Sequence, residues 1–184
     1  MHPSRMKNLF TKKEFIYVFL ILAVVFSATL INYQGAVRRA RDAQRKQDIR
    51  DIHDALEDYH TTIGSYPVSE DGKIVICDTS EKNKTGNPIF RKCEWGENSF
   101  IIRLSGDPMT SKGFSYYYLS DTKYFQLFAS LEGSDEVEYD QKINSRNLPC
   151  GSKICNFGLG SPRTPLDKSL EEYQNEINAK STAK

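Results

Sequence analysis

The sequence predicts an α+β protein in which one long N-terminal helix precedes a small antiparallel sheet. Three features predict it: an uncharged apolar run at residues 15–33, an amphipathic repeat that follows it, and two aromatic strands around a short polar turn. With 184 residues, the chain has room for one modest domain beside such a helix. Its 25 basic and 24 acidic residues nearly cancel, so the overall charge favours no nucleic acid or other polyanionic partner.

The apolar run, FIYVFLILAVVFSATLINY, predicts a retained membrane helix. As a helix it would span roughly 28 Å, close to the ~30 Å hydrocarbon layer of a bilayer. The alternatives are a buried core helix and a cleaved secretory signal. A domain of this size could not surround such a run with apolar side chains on every side, and no A-x-A-like cleavage site follows it.

The orientation of this helix follows from the cysteines, because basic residues flank the run on both sides. The four before it are Arg5, Lys7, Lys12 and Lys13, and the six after it are Arg38, Arg39, Arg41, Arg45, Lys46 and Arg50. Four cysteines in two local pairs indicate an oxidising compartment for the C-terminal part. We therefore expect a cytoplasmic N-terminus, a single span of the inner membrane and an exported C-terminal head.

The helix is expected to continue beyond the membrane and to end near Gly64, because Pro67 cannot continue it. Steps of three and four residues place one apolar stripe on it, formed by Ile49, Ile52, Leu56, Tyr59 and Ile63. We expect this stripe to pack on the sheet, since it is too short to indicate a coiled coil. In the basic segment 38–50 the basic residues alternate with acids, which is typical of a solvated face with Arg–Asp pairs. Anionic lipid heads or acidic surfaces of neighbouring subunits are the alternative contacts.

The remainder of the chain predicts short strands and turns. "FSYYYLS" (114–120) and "YFQLFAS" (124–130) flank "DTK" and predict a hairpin, with one face on the helix stripe and the other partly covered. "KIVIC" (73–77) and "NSFIIRL" (98–104) are further strand candidates, and "SEKNKTGNP" (80–88) is typical of a polar loop. The C-terminal tail predicts either a short surface helix, which would start at Thr164 and Pro165, or a frayed end.

The cysteines predict two disulfides by proximity, Cys77 with Cys93 and Cys150 with Cys155. Their spacing does not suit structural zinc, and two helical histidines seven residues apart, His53 and His60, are too distant to share one ion. Acidic side chains could hold calcium, although no loop spacing supports it and a solvated acidic rim is the favoured alternative; these are Asp107, Asp121, Asp135, Glu136 and Asp140. No catalytic motif is present in the sequence, so we expect neither an enzyme nor a cofactor.

The order of these parts resembles the type IV pilins and type II secretion pseudopilins. The resemblance starts at Phe10-Thr11-x-x-Glu14, is most specific in "RARDAQRKQDIRDIHDALEDYHTTIGSYP" (39–67), and continues more loosely through the aromatic hairpin to about Gly160. It implies a ladle-shaped subunit with a leader (1–9), a transmembrane helix (10–35), an amphipathic extension (36–64), an α/β head (65–160) and a C-terminal tail (161–184).

The resemblance also implies how such a subunit is used. A prepilin peptidase would cut between Leu9 and Phe10, the new N-terminal amine is often modified, and Glu14 would offset the amine of a neighbouring subunit. Partners would be other pilin-like subunits and the inner-membrane assembly machinery, and the product an extracellular filament. Two features depart from the family pattern: Leu9 stands in place of Gly, and Lys12 and Lys13 in place of apolar residues. The alternative is an uncleaved, single-pass membrane protein with an extracytoplasmic binding head.

Overall fold

One helix contains both the apolar run and the amphipathic repeat in the computed structural model, which describes residues 12–82, 85–86, 88–99 and 102–182. This helix, α1, runs from Lys12 to Ile63. It ends where the sequence predicts, because Gly64 adopts a left-handed φ of 86° and its N–H bonds to the carbonyl of His60. The chain divides between Ala40 and Arg41 into two units.

Among the described residues of the second unit, three small antiparallel sheets and two short helices accompany the latter part of α1. The first sheet has the order β1 (Ser69–Glu70), β2 (Lys73–Lys82), β3 (Pro88–Lys92). The second contains β4 (Tyr117–Ser120) and β5 (Phe125–Ala129), and helix α2 (Gln141–Ser145) follows it in sequence. The third pairs β6 (Pro149–Cys150) with β7 (Lys153–Ile154). Strand β8 (Phe157–Gly160) and helix α3 (Leu170–Thr182) complete the chain.

The predicted aromatic hairpin is confirmed, and β8 adds a third strand to it. β4 pairs with β5 in the register Tyr117 to Phe128, and β8 pairs on the other side of β5 with Phe157 opposite Ala129. Gly158 permits this close pairing, because a Cβ at that position would lie 2.6 Å from the carbonyl oxygen of Leu127. The strand β5 is thus central in its sheet.

The core lies on both faces of β5, all five residues of which are buried. On one face the helix stripe contributes Ile49, Ile52 and Leu56, which are completely buried against the sheets. On the other face Phe128 packs with Ile143 of α2 and with the disulfide Cys150–Cys155. The sheet is therefore covered on both sides, more fully than the sequence predicts.

Four sequence predictions of local structure are wrong. Ile63, the last residue of α1, is 58% exposed and does not join the packed stripe. The described parts of 98–104 contain only an isolated bridge from Asn98 to Arg103, not a strand. The predicted polar loop 80–88 includes the end of β2 and the first residue of β3. The last helix starts after Ser169, which exchanges hydrogen bonds with Glu172 in a capping box.

Candidate functional site

The apolar half of α1 exposes its side chains in the monomer. Among its large apolar residues, Phe15 and Val24 are each 70% exposed and Leu20 is 54% exposed. A soluble monomer rarely exposes so large an apolar surface, and this helix is long and apolar enough to cross a membrane. Such a surface suits an apolar environment, which either lipid or the apolar helices of other chains would supply.

Two hydroxyl groups within this half are already satisfied by the helix itself. Ser27 Oγ donates to the carbonyl of Ala23 at 2.8 Å, and Thr29 Oγ1 donates to the carbonyl of Val25 at 2.8 Å. Such bonds remove the cost of placing a hydroxyl in an apolar environment. Ser27 and Thr29 are therefore compatible both with lipid and with a surface of packed apolar helices.

The candidate assembly and processing residues lie at the start of α1 and before it. Glu14 is in the first turn of the helix, where a carboxylate interacts favourably with the helix dipole. Lys12 and Lys13 are exposed beside it. Leu9 and Phe10, the predicted processing site, lie outside the described residues.

A buried ion cluster is the main polar feature of the second unit, and it was not predicted. Arg45 is completely buried, and its guanidinium reaches three carboxylates. Nε donates to Asp107 at 2.7 Å, and Nη1 donates to Asp42 at 2.8 Å and to Glu132 at 2.7 Å. The expectation of a solvated face over 38–50 is therefore wrong for its inner side, which turns toward the core.

The cluster fixes two distant loops to the helix. Asp42 accepts hydrogen bonds from the backbone N–H groups of Glu132 and Gly133, and is itself fully buried. Arg41 donates to both oxygens of Glu132 at 2.6 and 2.7 Å. This bidentate bond lowers the pKa of Glu132 to about 2, and the bond from Arg45 adds to the shift. The carboxylate therefore stays ionised at any physiological pH.

Two further contacts extend from the same stretch of α1. Tyr116 donates its hydroxyl to Asp48 at 2.6 Å, and burial raises the pKa of that carboxyl although the bond itself lowers it. Lys46 donates to Glu136 at 2.9 Å and to Glu138 at 3.0 Å, so it holds the acidic loop that follows β5. Successive turns of the helix thus bind different parts of the head.

The other predicted site residues are distributed rather than gathered. Asp107 bonds to Arg45, Asp121 accepts from Gln174, Glu136 binds Lys46, and Asp140 caps α2. Within the described part of the chain, no three His, Cys, Asp or Glu side chains are placed to hold a metal ion. His53 contacts the ring of Phe125 and His60 stacks on Tyr66. The histidines therefore pack with aromatic side chains of the head.

Two disulfides join the cysteines in the pairs that proximity predicts. Cys77–Cys93 links β2 to the residue after β3, and Cys150–Cys155 closes the β6–β7 turn. All four cysteines are buried, so the bridges belong to the core. Each closes a local loop of the head, and this restriction of the unfolded chain stabilises the fold.

The sequence carries a signal for the ion cluster in its helical spacing. Asp42, Arg45, Ile49, Ile52 and Leu56 follow one another at steps of three, four, three and four. The two charged residues therefore lie on the same helix face as the buried apolar residues. Read in this way, the spacing indicates that Arg45 is buried, although it does not identify Asp107 or Glu132 as its partners.

An exposed apolar helix that continues into a firmly packed α/β head defines the pilin-like class of filament subunits. Within that class, the family model of type II secretion system (T2SS) protein G matches residues 32–145. The chain belongs to this family, and it is a subunit of a type II secretion pseudopilus.

One curated relative supports the same assignment. It is the type II secretion system core protein G of Aeromonas hydrophila, which is 27% identical over 146 residues. The match covers 79% of this chain and 96% of the relative. No solved structure gives a significant match to this chain. The family is one of structural subunits, and its membership together with the apolar helix supports membrane anchoring.

Proposed function

We propose that the chain is a polymerising subunit that waits in the inner membrane with its N-terminus in the cytoplasm and its head outside. Assembly would transfer the apolar half of α1 from lipid into a filament core made of the same helices. The observation that carries this proposal is the exposed apolar surface from Phe15 to Leu30. Its partners would be other pseudopilins and the inner-membrane machinery that assembles them.

We assign assembly to Glu14 and processing to the bond between Leu9 and Phe10. A cut there would leave Phe10 as the first residue, with a free or modified amine four residues before Glu14. Burying a carboxylate in an apolar filament core is costly, and the amine of a neighbouring subunit close to Glu14 would lower that cost. The domain boundaries that follow are a leader at 1–9, a membrane helix at 10–35, an extension at 36–64, a head at 65–160 and a tail at 161–184.

Mass analysis of the N-terminus tests processing directly. The full chain is extracted from membranes of its host and from sheared filaments, and the first residue is determined in each fraction. We expect filaments to contain chains that begin at Phe10. Filaments built only from chains with an intact Met1–Leu9 segment would overturn the processing step and leave assembly standing.

A pair of substitutions tests the assembly role. We expect Glu14→Ala to abolish filaments while the protein stays at its normal level in the membrane. Glu171→Ala is the matched control, because it makes the same change at an exposed position of α3, and it should assemble normally. Normal filaments from Glu14→Ala would show that Glu14 has no assembly role. Absence of filaments from the wild-type chain, with all protein retained in the membrane, would favour the fixed-anchor alternative.

A further inference from the structure

A cavity of about 540 Å³ opens on the head between the 3-10 turn Thr110–Lys112, the end of β5 and β7. Its volume is within the range of ~300–1,000 Å³ that ligand-binding sites occupy. Phe114, Leu131 and Met109 line its apolar part. Phe114 and Leu131 are buried side chains of the core, so this apolar floor is formed before any ligand arrives.

Three polar side chains that line the same cavity are available to a ligand. Ser130, the residue after β5, is only 5% exposed, yet its hydroxyl makes no hydrogen bond within the described chain. Buried hydroxyl groups are usually hydrogen-bonded, so a ligand would supply the missing partner. Lys112 and Lys153 are exposed, and among the described residues neither ammonium group has a carboxylate partner. The Nζ of Lys153 lies 5.7 Å from the centre of the Phe114 ring, beside the apolar floor.

Backbone hydrogen bonds join the two segments that carry these lysines. The N–H of Ser152, next to Lys153, donates to the carbonyl of Gly113, next to Lys112, at 2.7 Å. The N–H of Ser115 donates to the carbonyl of Cys150 at 3.3 Å and joins the same two segments a second time. The two ammonium groups are thereby kept at one cavity, where their charges repel each other. An anion bound between them would offset this repulsion.

The charges around the cavity match an anion with a single negative charge. Glu132 also lines it and belongs, with Asp42 and Asp107, to the ion cluster of Arg41 and Arg45. The three carboxylates of that cluster exceed its two guanidinium groups by one, and the two lysines bring the formal charge of the region to plus one. One bound carboxylate would balance it.

We propose that this cavity binds a carboxylate that is attached to an apolar group. The apolar group would cover Phe114 and Leu131, the Ser130 hydroxyl would donate a hydrogen bond to the carboxylate, and the two lysines would supply its counter-charge. Such a carboxylate belongs either to a small organic acid or to the C-terminal residue of a polypeptide. The site is built from the head alone, so the proposal goes beyond the proposed function and does not depend on filament assembly.

Met109 provides a local measurement of binding, because it lines the cavity and the only other methionines, Met1 and Met6, precede α1. The full chain is labelled with ¹³C at the methionine methyl groups and titrated in detergent with 3-phenylpropanoate. We expect the Met109 signal to shift and to saturate, while the signals of Met1 and Met6 stay unchanged. 3-Phenylpropylamine has the same apolar group with the opposite charge, and it should bind at least about tenfold more weakly. An unchanged Met109 signal, or equal binding of the amine, overturns the proposal.

Substitutions test the polar groups one kind at a time. Lys112→Gln with Lys153→Gln should weaken the binding of 3-phenylpropanoate about tenfold, because the carboxylate loses its counter-charge. Ser130→Ala should weaken it about fivefold, the effect of one lost hydrogen bond. Lys142→Gln with Lys180→Gln is the matched control, since both lysines are exposed on other parts of the chain, and it should bind like wild type.

Folding is checked separately, by the thermal midpoint of each variant in detergent. A lysine double variant that folds and binds like wild type overturns the proposal. If a variant does not fold, the comparison of the acid with the amine on the wild-type chain still decides.

A tetrapeptide that ends in phenylalanine distinguishes the two sources of the carboxylate. Tighter binding of the peptide than of 3-phenylpropanoate, abolished when its C-terminus is amidated, would identify a polypeptide C-terminus as the ligand. Binding of 3-phenylpropanoate without binding of the peptide would identify a small organic acid. If neither acid saturates the Met109 signal, the cavity is not a carboxylate site, and the proposed function is unaffected because it rests on the apolar half of α1.

Discussion

Arg45 Nε donates a hydrogen bond to Asp107 Oδ2 at 2.7 Å, and both side chains are completely inaccessible to solvent. These residues are 62 positions apart, and their contact joins the helix to the loop that precedes the 3-10 turn Thr110–Lys112. A buried pair of this kind contributes little against a well-packed apolar pair, but breaking it is costly, because one charge is left buried without a partner. This asymmetry determines the first prediction.

Arg45→Met should destabilise the full chain by about 3–5 kcal/mol, because three carboxylates lose their shared cation. Urea unfolding in detergent, followed by the fluorescence of Trp95, measures the change. Arg50→Met is the matched control: Arg50 lies on the exposed side of the same helix, and we expect a change within about 0.5 kcal/mol. Equal stability of the two variants would show that the cluster does not hold the head on the helix.

The lowered pKa of Glu132 leads us to expect that the folded protein loses stability in acid. Its folded pKa of about 2 is lower than its ordinary value of 4.5, so its stabilisation is fully present above about pH 4.5. It is lost as the pH falls from there through the folded pKa, by at most about 3 kcal/mol. The unfolding free energy of wild type and Glu132→Gln, measured from pH 5 to pH 2, should therefore converge toward low pH. Parallel curves would contradict the assignment.

Asp48 should contribute to the unfolding free energy with the opposite pH dependence, and it therefore serves as a control. Its folded pKa is raised, so the stabilisation it contributes is present below its ordinary value and is lost as the pH rises through the folded pKa. Asp48→Asn keeps an acceptor for the Tyr116 hydroxyl without a buried charge. We expect this variant to equal or exceed wild-type stability at pH 7 and to lose that advantage near pH 3.

The features that could be predicted from the sequence depend on residues that are close together along the chain. The end of α1 is encoded by Gly64, and the two disulfides join cysteines close in the chain. The ion cluster depends instead on Glu132, 87 residues from Arg45, and charge alternation alone is typical of a solvated helix. Strand β8 was missed because Gly158 and Gly160 are typical of a loop. In the structure these glycines instead permit close pairing with β5.

The ion pairs of Lys46 lead us to expect that the acidic loop, residues 134–138, is stable without an added metal ion. Its ammonium already lies between Glu136 and Glu138, and we expect EDTA to leave the thermal midpoint of the wild-type chain unchanged. Lys46→Met should lower stability by about 1 kcal/mol and increase hydrogen exchange in residues 134–139, because the two carboxylates would repel each other. Lys142→Met, a change on the exposed side of α2, should do neither. A clear drop in the wild-type midpoint with EDTA would show that a metal ion stabilises the protein.

The segment after β8 should be necessary for the head, whereas α3 should not. The buried amide of Gln126 donates to the carbonyls of Pro165 and Lys168, and Arg146 donates to the carbonyl of Leu166. Helix α3 has no buried residue and contacts the hairpin through the ring of Tyr173 and the amide of Gln174. We therefore expect a chain that ends after Ser169 to lose at most about 1 kcal/mol, as the removal of an exposed element does.

A chain that ends after Gly160 should lose several kcal/mol, because the Gln126 amide is left without acceptors at about 1–3 kcal/mol for each unsatisfied group. Urea unfolding of the full-length and shortened chains in detergent measures both losses. Gln126→Leu distinguishes this cause from a general loss of packing: in the shorter chain it should recover part of the stability, since no buried amide then remains. In the full-length chain the same substitution should destabilise, because the two carbonyls lose their donor. If Gln126→Leu has the same effect in both chains, the hydrogen bonds of Gln126 are not what the tail contributes.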